Sequence, residues 1–332
     1  MAFAPLVEEY RGETLDLTHL GYLVIVDENS NVLYSVGDPD DVVYYRSASK
    51  PIQALPVIAR GLDQKYGITD EESVIFAGSH AGEPFHVAAL ESIMQKAGLS
   101  EDMLVMKPAV PANAAAKEAR ILGGLPPRKL YHNCAGKHTA LMLLQRELGG
   151  DVRDYGKMGA VAQLEVQRTI EIMSETKHVE LGVDGCGVPV FAVPVRCIAN
   201  AFKNLAAPEH IRDEKLQQAA ARFVPRIHQY PLMMRGTGYM CSLINYDPNI
   251  VGKGGANGVY GIGLKKEKLG IAFKFSDGTE HAWPLIALEV LKGLGVLSKE
   301  TKERLEGLKP YKIYNDNDTL VGHCEATFEV KI

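Results

Sequence analysis

The chain has 332 residues, of which 46% are hydrophobic and 23% are charged, as in ordinary globular proteins. A formal net charge of -5 offers no basic surface for nucleic acid or for an anionic membrane. The sequence has no uncharged run of about 18 apolar residues, and Glu8 and Glu9 stand where a signal peptide would need an apolar core. We therefore expect a cytoplasmic protein that acts on a small molecule and binds neither nucleic acid nor membranes.

The first part of the chain predicts a hairpin that leads into a helix. Apolar, β-branched runs at 20–26 and 31–36 flank a short polar loop, which is the pattern of an antiparallel hairpin. Apolar positions at helical spacing follow from about 47 to 60, and similar patterns predict helices at 85–97 and 139–148.

Helical patterns dominate the middle of the chain, and strands return in the C-terminal third. Helices are predicted at 161–175, 194–204, 214–228 and 282–294, and strands at 257–264, 268–275 and 319–330.

These elements predict an α+β fold. One antiparallel sheet, built from N- and C-terminal segments, would be flanked by helices and carry a helical lobe. The sequence has no linker, repeat or low-complexity tract, so we expect one catalytic unit over 1–332. Its sheet-containing lobe would comprise 1–125 plus 230–332, and its mainly helical lobe 126–229.

Ser47 and Lys50 form an S-x-x-K pair where the first helix begins. Positions i and i+3 are neighbours on a helix surface, so the lysine amine can reach the serine hydroxyl. A serine becomes a nucleophile when an adjacent base takes its proton, and a buried neutral lysine is such a base. The helix N-terminus also favours negative charge that develops at the serine. The alternative is structural: Ser47 or Ser49 caps the helix, and Lys50 lies in solvent.

Two later segments carry candidate partners for this pair. Small and turn-forming residues surround Ser79 and His80, which indicates backbone that approaches a ligand closely. Lys253 precedes two glycines just before a predicted strand. The order of the three segments parallels that of serine acyltransferases of the β-lactamase and penicillin-binding type. Arg46 and His80 flank the two serines and are candidates for binding a substrate carboxylate, although an arginine there can equally form a structural ion pair.

Five cysteines are spread along the chain, and their odd number does not predict a disulfide framework. Cys134 lies in a polar segment before a helix, and Cys186 lies in a glycine-rich turn. By spacing alone, two cysteines this far apart are more often buried thiols than metal ligands. Cys197, Cys241 and Cys324 stand in apolar surroundings and are predicted to be core residues.

Six segments follow one another along the chain: RSASKPIQALP, SHAGEPFH, HNCAGKH, GVDGCGVP, RGTG and KGGANGV. In this order they resemble the signature segments of the asparaginase II family, the rhizobial-type class 3 L-asparaginases. The resemblance implies a fold shared with serine β-lactamases and glutaminases. It also implies two serine–lysine tandems, with Ser47 as the nucleophile and Lys50 as its base, and with Ser79 and Lys253 completing a proton network.

The same resemblance implies a zinc site and a homodimer. Cys134, Lys137 and Cys186 would hold Zn²⁺, with water completing the tetrahedron. Lysine is a rare ligand because its amine must lose a proton to bind. His132 and His138 lie nearby as substitute ligands or as residues that orient the ligands.

We expect the protein to hydrolyse L-asparagine to L-aspartate and ammonia through an acyl-enzyme on Ser47. Zinc would position the substrate or stabilise a loop rather than generate the nucleophile. Backbone N–H groups at Ser47 and near residues 253–255 are the candidate oxyanion hole. The candidate substrate-binding residues are Arg46, His80, His138 and Asp184.

Two positions depart from the family pattern. Asn257 stands where an acid is usual, and Ala135 stands where serine is common. Neither change touches the tandems, but both leave substrate preference and metal affinity open. The alternatives are a glutaminase or another serine acyl hydrolase of β-lactamase-like fold, and a non-catalytic zinc-binding protein.

Overall fold

The computed structural model describes residues 3–332. Within that range the strands are β1 (Ala4–Arg11), β2 (Thr14–Val26), β3 (Val32–Val36), β4 (Val42–Tyr44), β5 (Glu180–Val183), β6 (Pro189–Pro194), β7 (Ile250–Gly255), β8 (Val259–Leu264), β9 (Leu269–Phe275), β10 (Lys312–Tyr314) and β11 (Leu320–Ala326). The α-helices are α1 (Lys50–Ala59), α2 (Leu62–Lys65), α3 (Asp70–Val74), α4 (Pro84–Ala97), α5 (Ala114–Leu122), α6 (Ala135–Glu147), α7 (Val161–Met173), α8 (Val195–Ala206), α9 (Glu214–Gln229), α10 (Met240–Leu243), α11 (Trp283–Gly293) and α12 (Lys299–Glu306).

The larger sheet is built from both ends of the chain. Its strands follow the order β10-β11-β1-β2-β9-β8-β7, and β3 pairs with the last residues of β2. Its pairings are antiparallel, and its strands come from 4–36 and from 250–326. The predicted α+β fold, with one antiparallel sheet from N- and C-terminal segments, is therefore confirmed. Strands β4, β6 and β5 form a second sheet, which the sequence analysis did not predict.

Alternate residues of β2 face two different cores, as the pleat of a strand requires. Tyr22, Val24 and Val26 pack in the core formed by α1, α4 and α6–α9, where α8 contacts β2 directly. Leu23 and Ile25 pack on the other side, against the core that contains α11. All five side chains are fully buried, and burying a side chain of this kind contributes about 1.5–3 kcal/mol. The sheet therefore lies between two helical layers.

Helix α1 is buried from Lys50 to Ile58 and packs against α6, α7 and α9. The short 3-10 helix Arg46–Ser49, which leads into α1, contacts β7 at the edge of the large sheet. The start of this helix, which carries the S-x-x-K pair, therefore lies where the helical core meets the sheet edge. The alternative in which Lys50 lies in solvent is wrong.

The sequence predicted the β2–β3 hairpin correctly but missed β1 and β7. The first segment looked polar because β1 buries only Leu6 and Val7, and pairing with β2 and β11 stabilises it instead. β7 looked like a loop because three of its six residues are glycine, which is disfavoured in strands. Lys253 therefore lies within a strand rather than before one.

The helices are not confined to the middle of the chain. Helices α1–α5 all precede residue 126, and the division into a sheet-containing lobe and a mainly helical lobe remains a prediction. Among the described residues, no helix has both the length and the apolar character needed to cross a bilayer.

Helix α8 packs closely on the sheet, so a side chain added at the contact should lower the stability of the fold. A Cβ added to Gly270 would lie 2.0 Å from the carbonyl oxygen of Ala199, so α8 would have to shift. We expect Gly270→Ala to lower the free energy of unfolding by about 1–3 kcal/mol in urea denaturation. Gly185→Ala is the matched control, because its added methyl group meets no atom within 4 Å. Equal stability of the two variants would contradict this packing.

Candidate active site

The serine of the S-x-x-K pair lies in a short 3-10 helix, Arg46–Ser49, that leads directly into α1. Arg46 has a φ of 49°, in the left-handed region that non-glycine residues rarely adopt. Ser47 is half-buried, and its hydroxyl has no hydrogen-bond partner within residues 3–332. This hydroxyl is therefore free to approach a substrate.

Lys50 follows in the first turn of α1 and is completely buried. Its Nζ lies 2.9 Å from Gly78 O, 3.1 Å from Asn133 O and 2.9 Å from Ser79 Oγ. Two of these partners are carbonyl oxygens, which can only accept. A neutral amine would donate both N–H groups to them, and its remaining lone pair would face the Ser79 hydroxyl. The charged form would instead donate to all three oxygens, so these contacts suit both protonation states of the amine.

The charge state of Lys50 is set by its surroundings. Burial lowers the pKa of Lys50 to about 8. The negative charge of Cys134 opposes this shift, and the positive charge of Lys253 adds to it. A lysine with this pKa holds an appreciable neutral fraction near neutral pH, which a general base requires.

Ser79 lies in the loop before α4, where the RGTG segment holds it. Its backbone N–H donates to Met234 O at 2.8 Å, and Arg235 Nη1 donates to Ser79 O at 2.7 Å. Gly78 is required here, because a Cβ would lie 2.4 Å from a backbone oxygen of the adjoining segment. The loop is therefore fixed with its serine hydroxyl against Lys50.

Lys253 is buried in β7, opposite Gly261 of β8. Its Nζ lies 2.5 Å from Gly254 O and 4.0 Å from Cys241 Sγ, and burial lowers the pKa of Lys253. Within the described chain, Lys253 makes no hydrogen bond to Ser79, and Lys50 makes none to Ser47. The lysine of the first tandem instead contacts the serine of the second.

Both serines and Lys253 line one cavity of about 80 Å³. Gly255 forms part of its wall, because a Cβ there would lie 2.7 Å from Tyr45 O and 2.8 Å from Ala48 N. Only glycine allows the end of β7 to approach the turn that carries Ser47. The lining residues are Ser47, Ser79, Asn133, Arg235, Cys241, Lys253, Gly254, Gly255, Ala256, Glu280 and Trp283.

Cys134, Lys137 and Cys186 lie together beside this cavity, at the start of α6 and in the turn after β5. Lys137 Nζ lies 3.2 Å from Cys186 Sγ. The hydrogen bond between Cys134 and Cys186 lowers the pKa of Cys134 well below its ordinary value and raises the pKa of Cys186. Burial disfavours the Lys137 ammonium, but the negative charges of Cys134, Cys186 and Asp184 outweigh burial and raise its pKa. Two thiols and an amine in contact form a donor set that suits zinc.

An ion pair joins the two halves of the site. Arg46 Nε donates to Asp184 Oδ1 at 2.9 Å, and Asp184 Oδ2 lies 4.0 Å from Lys137 Nζ. The residue before Ser47 is thereby tied to the turn that carries Cys186. Arg46 and Asp184 satisfy each other in this arrangement.

The two candidate histidines, His80 and His138, are not among the residues that line the cavity. His80 is fully buried against His86, and burial holds its pKa well below the ordinary value. His138 is also fully buried, and its Nδ1 lies 2.8 Å from the hydroxyl of Tyr155. Both have an Nε2 atom with no hydrogen-bond partner in the described chain.

Several cavity residues were missed by the sequence analysis. Cys241 is a core residue, as predicted, but it also lines the cavity, and its Sγ accepts from Gly254 N at 3.2 Å. Arg235 stands in the RGTG segment but was not among the candidate site residues. Glu280 and Trp283 follow β9 with no motif around them, so only the folded chain brings them to the site.

The chain matches known proteins at two levels. The L-asparaginase II family model matches residues 7–326, and no curated protein sequence matches the chain. Among solved structures, the chain is similar to Mglu in its native form, with a TM-score of 0.49, 14% identity, and coverage of 84% of this chain and 62% of that chain. It is also similar to a β-lactamase from Mycobacterium bovis, with a TM-score of 0.42, 16% identity, and coverage of 82% and 94% of the two chains. The chain thus spans 62% of the length of the Mglu chain that it matches.

Proposed function

The chain belongs to the L-asparaginase II family, and we propose that it is an amidohydrolase whose substrate, L-asparagine, is hydrolysed to L-aspartate and ammonia. The observation that carries this proposal is the arrangement around Lys50. A buried amine with a lowered pKa contacts Ser79 Oγ, and the free hydroxyl of Ser47 opens on the same small cavity. These are the parts that an acyl-enzyme mechanism needs.

In the proposed acylation, Ser47 Oγ attacks the side-chain amide carbon and its proton passes to the neutral Lys50 amine. The carbon–nitrogen bond then breaks. The contact between Lys50 and Ser79 supports a route by which Ser79 hands a proton to the leaving ammonia while Lys50 replaces it. In deacylation, water attacks the ester, Lys50 takes the water's proton, and Ser47 Oγ leaves with a proton.

The negative charge that develops on the amide oxygen needs donors. Ser47 lies at the start of a helical segment, where the first N–H groups have no intrahelical partner. The close approach of Gly255 to the backbone of Tyr45 and Ala48 brings the end of β7 to the same place. This contact supports an oxyanion hole formed by backbone N–H groups of Ser47 and of β7.

The cavity has charged side chains that suit both the carboxylate and the ammonium group of an amino acid. Arg235 suits a carboxylate and Glu280 suits an ammonium group, and both line the cavity. Arg46 and Asp184, predicted to bind substrate, would have to exchange their mutual ion pair to do so. His80 and His138 do not line the cavity and would contribute only indirectly, through the residues that they contact.

Zinc would be held by Cys134, Lys137 and Cys186, and it would supply positive charge close to the polar end of a bound substrate. The residues fit the ion because the sulfurs and the amine are already in contact. Zinc binding, a homodimeric state and a cytoplasmic location remain predictions.

Turnover of L-asparagine, L-glutamine and nitrocefin distinguishes this proposal from its alternatives. We expect ammonia release from L-asparagine to exceed that from L-glutamine, because the small cavity disfavours the additional methylene, which is worth about 1–3 kcal/mol. Ser47→Ala should lower kcat by at least ~10³-fold. Activity on glutamine or nitrocefin alone would support another serine acyl hydrolase, and no activity on any of the three would support a non-catalytic zinc-binding protein.

Ser49→Ala is the matched control for the nucleophile. Ser49 Oγ donates to Arg46 O and accepts from Gln53, so the variant should lose about 1 kcal/mol of stability. Its kcat should nevertheless stay within a few-fold of the native value. An equal loss of activity in both variants would contradict the assignment of Ser47.

The lowered pKa of Lys50 predicts a pH profile. The base must be neutral, and its neutral fraction grows as the pH rises to and beyond the pKa of about 8. We expect kcat/KM to rise about tenfold per pH unit below pH 8 and to level off above it. Lys50→Arg should remove this rise together with the activity. A midpoint near 6.5, the ordinary pKa of histidine, would contradict the assignment of Lys50.

Zinc content tests the cysteine–lysine cluster. We expect Cys134→Ser and Cys186→Ser each to lose one equivalent of zinc per chain in elemental analysis, because a hydroxyl is a poor zinc ligand. Cys197→Ser is the control, since Cys197 lies in the core away from the cluster. Unchanged zinc content in all three variants would rule out zinc at this cluster.

A further inference from the structure

A second group of metal-ligating side chains lies outside the cysteine–lysine cluster. Glu9 of β1, His19 of β2 and His281, in the loop between β9 and α11, offer ligand atoms that all lie within 4.8 Å of one another. His19 Nε2 and His281 Nε2 each lie 2.8 Å from the same oxygen, Glu9 Oε1. Two imidazoles and a carboxylate therefore converge on one point from three parts of the chain.

The backbone positions two of these ligands before any ion binds. Val7 lies opposite His19 in the β1–β2 register, so Glu9, two residues further along β1, is on the same face of the sheet. His19 is 2% exposed, whereas the side chain of His281 is 63% exposed. The site is thus anchored in the sheet and open to solvent on the side of His281.

Both histidines are oriented by further contacts, as metal-binding histidines usually are. His19 Nδ1 lies 2.5 Å from Asp277 Oδ2, and His281 Nδ1 lies 2.6 Å from Thr279 Oγ1. Both orienting groups come from the same loop as His281. These contacts point the Nε2 atoms at Glu9 and leave Nε2 of each ring as the metal-binding nitrogen.

Charge also favours a cation at this point. Two carboxylates, Glu9 and Asp277, flank the two imidazoles. If both rings are neutral, a divalent ion balances the two negative charges. In a tetrahedral zinc site with bonds of about 2.0–2.1 Å, neighbouring ligand atoms lie about 3.4 Å apart, so Glu9 needs to move only slightly from its present contacts.

We propose that Glu9, His19 and His281 form a binding site for one divalent transition-metal ion, of which Zn²⁺ is the best match to the nitrogen and oxygen donors. The ion ties the β1–β2 pair to the loop at 276–282. Glu280, in that loop, lines the catalytic cavity, and Trp283 follows it. Occupancy of this site therefore fixes the position of Glu280 at the mouth of the cavity.

The chain contains one tryptophan, Trp283, which provides a direct readout. In a Cys134→Ser/Cys186→Ser background stripped with a chelator, Zn²⁺ titration should change its fluorescence and saturate at one equivalent. Co²⁺ in the same protein should give ligand-field absorption without the thiolate charge-transfer band expected of a cysteine site.

His281→Ala should weaken Zn²⁺ binding at least tenfold and abolish the fluorescence change. His178→Ala is the matched control, because His178 is 64% exposed and also lies beside a glutamate, Glu180; it should leave both results unchanged. If the double cysteine variant does not fold, zinc content in the otherwise native chain decides instead: two equivalents should fall to one in His281→Ala.

Failure of the double cysteine variant to bind Zn²⁺ would overturn the proposal, as would equal affinity in His281→Ala. The three residues would then form only a hydrogen-bonded network of imidazolium and carboxylate groups.

Discussion

The contacts of the Lys50 amine are the interaction on which the site depends. One buried nitrogen joins α1 to Gly78 and Ser79, in the loop before α4, and to Asn133, in the segment before α6. A fully charged ammonium buried here without a paired anion would cost several kcal/mol. The lowered pKa of Lys50 reduces that cost, so the amine that we propose as the base also holds these three segments together.

The charge of the site is balanced over a wider group of residues. Lys50, Lys137 and Lys253 are all buried, and the positive charges of Lys137 and Lys253 lower the pKa of Lys50. The negative charge shared by Cys134 and Cys186 opposes them. The protonation of the sulfurs therefore affects the pKa of Lys50 through the electric field, without a shared hydrogen bond. A change of charge at either cysteine would change the strength of the proposed base.

The sequence revealed the parts of the site that short motifs carry. The S-x-x-K pair, the Ser79 loop and Lys253 were identified because spacing and glycine content are local properties. The contact between Lys50 and Ser79 was not predicted, because it depends on how the loop packs against α1. Cys241, Glu280 and Trp283 were missed for the same reason, since each lies on an element with no local signal. β7 was missed because close packing, of Gly254 against Trp283 and of Gly255 against the Ser47 turn, rather than strand propensity, explains its glycines.

The left-handed backbone of Arg46 shows what this arrangement costs the fold. A conformation of this kind is less stable by roughly 1–2 kcal/mol for a residue with a Cβ, and a glycine would adopt it freely. Glycine, however, would lose the guanidinium group that holds Asp184. Position 46 therefore sets the strain of the backbone against the ion pair with Asp184: Arg46→Gly would relieve the strain and would release the serine turn from the turn that carries Cys186.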